Sequence, residues 1–337
     1  MTLRQAQDER TIGVVGAGAW GTALAQALAS DGRPVKLWAL EDGLADAINT
    51  THRNAPYLPA AELAPTIEAT GDLAMMATCD ALLIVTPAQH TAATLARMPA
   101  FPRDLVLCSK GIEASTGRMM HEVAHDAAPG SAIAVLSGPT FAHEVAAGLP
   151  CAVTLACGGG QAQWDRLAPA IARPALRPYY SDDVVGAEVG GAVKNVLAIA
   201  CGVVEGLRLG QNARNALITR GFAEMLRFGV ARGGKAETLN GLCGLGDLVL
   251  TCSSTSSRNF SLGKALGEGM SAAEALADKR TVAEGAHTAP VLGRIAADMG
   301  VQMPIVEAVN ELLAGRRARD VVAGLLARPL RREGLEA

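Results

Sequence analysis

Thr11-Ile-Gly-Val-Val-Gly16-Ala-Gly18-Ala-Trp-Gly21 decides the fold. A short β-branched run enters a turn whose glycines are spaced G-x-G-x-x-G. Trp20, Ala23, Leu24, Ala27 and Leu28 then recur at the spacing of one helix face. Gly16 allows the tight turn off a strand, Gly18 lets backbone approach a pyrophosphate, and Gly21 lets the helix pack against the sheet. The helix start offers N–H groups and a positive dipole end to phosphates. A glycine turn alone is weak evidence in a chain with 37 glycines. A strand before it, a helix after it and a second strand at Val35-Lys-Leu-Trp-Ala39 give the context that a dinucleotide site needs.

Outward from this turn, strands are expected at 11–15, 35–39, 66–69, 81–86, 104–109, 132–137 and 151–156. Helical patterns fall between several of them, at 20–30, 43–50, 71–78, 89–96 and 116–127. This alternation implies a mostly parallel sheet covered on both faces. A less regular βαβ piece runs to about 181, and the character changes near 184. A long small-residue segment, Val184 to Val204, is followed by helical patterns at 213–232, 258–268, 272–278, 285–299, 304–315 and 319–327. The expected fold class is α/β: a Rossmann-type doubly wound sheet domain over 1–184, then an all-helical C-terminal domain over 185–337.

The 337 residues are 50% hydrophobic but only 3% aromatic, so the cores must be built from Ala, Val, Leu and Ile. A net charge of −3 gives no reason to expect a nucleic-acid or membrane-surface partner. No apolar run reads as approaching the ~20 residues of a membrane span. The polar first ten residues lack an apolar signal-peptide centre, so a cytoplasmic protein is expected. The seven cysteines are scattered and read as reduced core thiols. His121-Glu122-Val-Ala-His125 matches H-E-x-x-H, but it sits on a crossover helix with no compelling third ligand, so no metal is expected.

Lys194 is the best single catalytic candidate. It lies in Gly190-Gly191-Ala-Val-Lys194-Asn195-Val-Leu-Ala, an apolar helix where a charge must be paired, snorkel out, or have its proton affinity lowered. Lys110-Gly111 closes the 104–109 strand, where a lysine can reach a phosphate. Ser137-Gly138-Pro139-Thr140-Phe141 closes the next strand, with a close-approach glycine and a hydroxyl. The segment 241–259 is glycine-rich, then hydroxyl-rich, and Ser257-Arg258-Asn259 at a helix start suits a phosphate clamp. Each of these is also compatible with an ordinary turn, cap or structural ion pair. Glu41-Asp42 lies 20 residues beyond Gly21, where a carboxylate can bind the adenine ribose and repel a 2′-phosphate, while Asp and Glu are equally ordinary turn residues of a solvated loop.

Taken together, the motifs resemble bacterial NAD(P)-dependent glycerol-3-phosphate dehydrogenase from end to end. The matching stretches include Gly16-Ala-Gly-Ala-Trp-Gly-Thr-Ala-Leu-Ala, Ser109-Lys110-Gly111-Ile112-Glu113, Leu136-Ser-Gly-Pro-Thr-Phe-Ala142 and Val189-Gly-Gly-Ala-Val-Lys194-Asn195-Val. They continue through Asn212 to Gly221, Gly244-Leu-Gly-Asp247-Leu-Val-Leu-Thr-Cys, Ser257-Arg258-Asn259, Ala283-Glu284-Gly285 and Met303-Pro304-Ile305. The resemblance implies reversible reduction of dihydroxyacetone phosphate to sn-glycerol 3-phosphate with NAD or NADP, which feeds glycerophospholipid synthesis.

It also implies site residues. Lys194 becomes the proton donor and acceptor, oriented with the substrate by Asp247 and Asn195. Lys110, Gly138, Thr140, Lys194, Asp247, Ser257, Arg258 and Asn259 would line the substrate. Ala19, Trp20, Lys110, Ala142, Arg258, Val282 and Glu284, with Gly16, Gly18 and Gly21, would touch the cofactor. Two departures stand out: Ala19 where the family usually has Ser, and Leu40 where it often carries Arg or His. Leu40 followed by Glu41-Asp42 weakens the NADP reading. A homodimer is expected as partner state, through small-residue helices of the second half. A different dehydrogenase on the same plan, or a cofactor sensor without turnover, are the alternatives that a substrate panel separates.

Overall fold

The computed structural model describes residues 10–101, 103–277 and 283–330. Contacts divide the chain into two compact units, 1–109 with 120–184, and 110–119 with 185–337.

The first unit runs β1 (Ile12–Val15), α1 (Ala19–Leu28), β2 (Val35–Trp38), α2 (Leu44–Thr51), β3 (Ile67–Thr70), β4 (Ala81–Ile84), α3 (Ala88–Ala96) and β5 (Asp104–Leu107). It continues with α4 (Met120–Ala127), β6 (Ala132–Ser137), α5 (Ala142–Ala146), β7 (Cys151–Cys157), α6 (Gly160–Ile171) and β8 (Leu176–Ser181). The eight strands form one sheet in the order β3-β2-β1-β4-β5-β6-β7-β8. All pairings are parallel except β6 with β7. Strand order reverses between β1 and β4, the switch point where open α/β sheets leave a crevice at the strands' carboxyl ends. β1, β4 and β5 are buried on both faces; β1 and β4 are unbroken apolar runs, and β5 adds only Asp104 at its start.

Two buried charges complete this unit. Arg166 grips Asp104 of β5 with two bonds of 2.8 and 2.9 Å. Arg173 donates to the Leu28 carbonyl at 2.7 and 3.0 Å and to the carbonyls of Ala170 and Ala172, so one guanidinium satisfies the C-terminal ends of α1 and α6.

The second unit is helical: α7 (Val184–Gly206), α8 (Gly210–Ala231), α9 (Ala236–Leu239), α10 (Asp247–Cys252), α11 (Arg258–Gly267), α12 (Ala272–Ala275), α13 (Glu284–Asp298), α14 (Pro304–Leu313) and α15 (Ala318–Leu326). Its core gathers around α7. By length and composition α7 could cross a membrane, contrary to the expectation that no run approaches that size, but 89% of its apolar window is buried inside the protein. Its glycines let neighbours approach. A methyl at Gly190 would lie 2.4 Å from the Cys243 carbonyl oxygen, and one at Gly263 on α11 would lie 1.9 Å from that of Ile199.

Three features differ from the sequence reading. Lys110–Met119 belongs with the second unit, because Ile112 and Met119 bridge each other and bury in the helical core. The glycine-rich start of segment 241–259, for which no helix is expected, contains a π-helical turn over 242–246 and then α10. Gly241, Gly244 and Gly246 look like breakers. Gly244 is instead a packing glycine, since a Cβ there would sit 2.0 Å from the Leu239 carbonyl oxygen. The helical pattern at 71–78 is a 3-10 helix over Leu73–Thr78 rather than an α-helix.

Glu224 of α8 was not singled out in the sequence. It is buried and accepts from Ile305 N at 2.8 Å and Val306 N at 3.3 Å, capping α14 just after Pro304. Burial pushes its carboxyl up to about 7, with Glu307 adding to the rise; the two N–H groups and Arg227 oppose it. The folded value exceeds the unfolded one. Stability is therefore full below the unfolded value and falls as pH rises through about 7. Glu224→Gln is expected to flatten that fall between about pH 5 and pH 8, seen in urea unfolding at each pH. An unchanged slope would contradict this origin.

Candidate active site

Lys194 sits on the fourth turn of the α7 segment with only 5% of its surface exposed. Its Nζ donates to Asp247 Oδ1 and, at 3.0 Å, to Thr251 Oγ1. Asp247 is fully buried at the first position of α10, and Thr251 lies one turn later on the same face. The Thr251 hydroxyl also reaches Asp247 Oδ1 at 3.3 Å. Lys110 supplies a second cation, its Nζ 2.8 Å from Asp247 Oδ2. One carboxylate therefore stands between two lysines. With both lysines protonated the trio carries one net positive charge, which suits an anionic ligand.

Burial holds the Lys194 ammonium below the usual lysine range. The Asp247 carboxylate opposes that shift and the Lys110 charge adds to it. A lysine so placed exchanges its proton more readily than one on the surface.

Asn195 follows on α7 and links several elements. Its Nδ2 donates to the Lys110 carbonyl at 3.2 Å and the Gly191 carbonyl at 3.3 Å. Its Oδ1 accepts from Asn259 Nδ2 at 3.0 Å, and Asn259 Oδ1 accepts from Gly285 N at 2.9 Å. One amide chain thus joins the starts of α11 and α13 to the lysine helix. Asn259 is buried, and its side chain takes part in this chain of bonds. Ser257 caps α11, its Oγ accepting from Phe260 N at 3.2 Å. Arg258, the first residue of α11, is exposed, and its side chain makes no hydrogen bond or ion pair among the described residues. Glu284 opens α13; Val282 lies outside the described residues.

The first unit holds the other expected residues. Gly16 has φ of +119°, and a Cβ at Gly21 would lie 1.8 Å from the Gly16 carbonyl oxygen, so neither glycine tolerates a side chain there. Nothing lies within 4 Å of a Cβ built on Gly18, and no side chain caps α1 behind Ala19. The Trp20 indole N–H is buried without a partner. This open cradle with uncapped helix N–H groups fits a pyrophosphate. At the carboxyl edge of the same sheet, Ser109 donates to the Thr86 carbonyl at 2.6 Å. There too, half-buried Thr140 follows Gly138, donating to its carbonyl at 3.3 Å, and Ala142 begins α5. His121 and His125 lie on α4, and no group of three or more His, Cys, Asp or Glu is gathered among the described residues.

Sequence reasoning missed Thr251 as a lysine partner. Its signal was the spacing Asp247-x-x-x-Thr251, which places both groups on one helix face once 247–252 is read as a helix.

Comparison with known proteins now bears on this geometry. Residues 11–163 match the model of the NAD-dependent glycerol-3-phosphate dehydrogenase N-terminus, and residues 183–323 match that of the C-terminus. A protein of Novosphingobium aromaticivorans named glycerol-3-phosphate dehydrogenase (NAD(P)+) is 70% identical over 323 residues, covering 96% of this chain and 98% of the relative. A protein of the same name from Erythrobacter litoralis is 68% identical, covering 96% and 97%. The crystal structure of glycerol-3-phosphate dehydrogenase from Coxiella burnetii aligns with a TM-score of 0.89 at 39% identity, covering 95% of this chain and 99% of that one. The chain belongs to the NAD-dependent glycerol-3-phosphate dehydrogenase family.

Proposed function

We propose that this chain reversibly reduces dihydroxyacetone phosphate to sn-glycerol 3-phosphate with a nicotinamide cofactor, supplying the backbone of glycerophospholipids. The observation that carries the reading is the buried Lys194–Asp247–Lys110–Thr251 cluster within the stretch matched by the family's C-terminal model. The names and identities of the relatives support the same activity.

A bound nicotinamide supplies the hydride. Gly16, Gly18, Ala19, Trp20, Gly21 and Ala142 are assigned to hold the dinucleotide, with Lys110, Arg258 and Glu284. Lys194 holds the proton destined for the ketone oxygen, and Asp247 and Thr251 aim its Nζ. The Lys194 charge also stabilises the alkoxide as it develops. Lys110, Gly138, Thr140, Ser257 and Arg258 are assigned to the substrate. Asn259 is assigned to the substrate phosphate with Ser257 and Arg258, and its amide also holds Asn195. Phosphate binding contributes remote binding energy that fixes the ketone for reaction. The division of labour between residues 1–184, less 110–119, and residues 185–337 with 110–119 is part of this proposal.

Cofactor oxidation with dihydroxyacetone phosphate, run beside unphosphorylated dihydroxyacetone, tests the reading. Turnover is expected to require the phosphate; equal rates on both would overturn it. Arg258→Gln is expected to raise KM for the phosphorylated ketone about tenfold or more, as loss of a charged hydrogen bond does. An unchanged KM in steady-state kinetics would remove Arg258 from the phosphate site.

An intracellular, reducing setting belongs to the same proposal, supported by seven free cysteines. So does a homodimer. It is supported by an apolar groove of about 750 Å³ lined by residues including Val203, Val204, Leu217, Val322 and Leu325. Sedimentation would test it.

A further inference from the structure

The relatives' names cover both nicotinamide cofactors, which differ by one phosphate on the adenine ribose. In this chain the turn after β2 is built to tell them apart. Val15 of β1 pairs with Trp38 of β2, and Gly16 N donates to the Trp38 carbonyl at 3.1 Å, so this turn begins beside the glycine cradle. Ala39 N donates to the Thr70 carbonyl at 2.9 Å, and Leu44 N closes the turn onto the Glu41 carbonyl at 3.2 Å. Asn49 of α2 clasps the Ala69 backbone at 2.8 and 2.9 Å. The backbone of Leu40 and Glu41 is therefore fixed from both sides.

Leu40 is 63% exposed, so an uncharged side chain stands in the open position after the strand. Glu41 Oε1 accepts a hydrogen bond from the Tyr57 hydroxyl. That contact ties down one carboxylate oxygen and leaves the second able to accept from a ribose hydroxyl. Residues 39–46 contain Glu41, Asp42 and Asp46 and no Lys, Arg or His. Beyond this stretch, Arg53 lies 3.5 Å from Glu62 and Arg97 lies over the Trp38 ring at 5.8 Å. An acid at the end of the second strand of such a fold takes the ribose 2′-hydroxyl. A phosphate in its place brings roughly 1.5 to 2 negative charges toward that carboxylate.

We propose that Glu41, positioned by Tyr57 and flanked by the uncharged Leu40, makes this dinucleotide site reject a 2′-phosphate, so that the chain works with NAD(H) rather than NADP(H). The inference rests on the dinucleotide reading given under Proposed function. Glu41 is the selecting residue and Tyr57 a positioning residue.

Equilibrium binding to the whole chain, followed by quenching of tryptophan fluorescence, tests it without turnover. NADH is expected to bind about tenfold or more tighter than NADPH, the scale of a like-charge juxtaposition. Leu40→Arg combined with Glu41→Gln is expected to narrow or invert that ratio. Tyr57→Phe is expected to weaken NADH while leaving NADPH nearly unchanged, whereas a merely structural loss would weaken both alike. NADPH binding as tight as NADH in the unaltered chain, or a ratio that no variant moves, would overturn the selectivity claim and leave the dinucleotide site standing. If neither cofactor binds, the dinucleotide reading itself fails and the selectivity claim fails with it.

Discussion

Replacing Lys194 by Ala is expected to lower turnover by about 10²–10⁴-fold, the range for loss of a positioned general acid. The fold should survive, because Asp247 keeps Lys110 at 2.8 Å and the Thr251 hydroxyl at 3.3 Å. No buried charge is left alone. Cofactor binding should change little, since Lys194 is not among the residues assigned to the dinucleotide. Loss of kcat with cofactor affinity retained is thus the signature sought. Near-normal turnover in this variant would remove Lys194 from its role.

Asp247→Asn is expected to act more widely. The neutral amide would leave two ammonium groups sharing a site with no carboxylate, and Lys194 is almost wholly buried. Removing one partner of a buried ion pair costs about 3–5 kcal/mol. Turnover should fall as well, because Lys194 loses the group that aims it. Urea unfolding checks the first effect and steady-state kinetics the second. Adding Lys110→Met to Asp247→Asn is expected to recover part of the stability by removing the repulsion. A cost well under about 1 kcal/mol for Asp247→Asn would mean that the trio is not electrostatically coupled.

Much of this structure is legible in local sequence, and the exceptions share a cause. The glycine turn, the strands β1 to β7 and the long helix α7 each rest on a contiguous pattern that declares its own period. Lys194 was visible because a lysine inside an apolar helix demands an explanation. Its partners were less visible: Asp247 lies 53 residues away, and the Lys110–Asp247 pair spans 137. No periodicity reports such a distance. The segment 241–252 was obscured because Gly244 serves packing rather than chain reversal. Glu224 was hidden for a related reason, since its capping targets at Ile305 and Val306 lie 81 and 82 residues on. The assignment of Lys110–Met119 to the helical unit likewise depends on which core buries Ile112 and Met119, not on their spacing.

The central claim is that Lys194 carries the transferred proton, and its pH dependence tests that most directly. Lys194 must be protonated to reduce the ketone and neutral to accept a proton from the alcohol. In the unaltered chain, kcat/KM for reduction is expected to fall as pH rises through the Lys194 ionisation. For oxidation it should fall as pH drops through the same point. Burial of Lys194 places that shared point below the range of an ordinary lysine. Both limbs are expected to vanish in Lys194→Ala. Persistence of the same limbs in that variant would contradict the assignment and give the proton to another group.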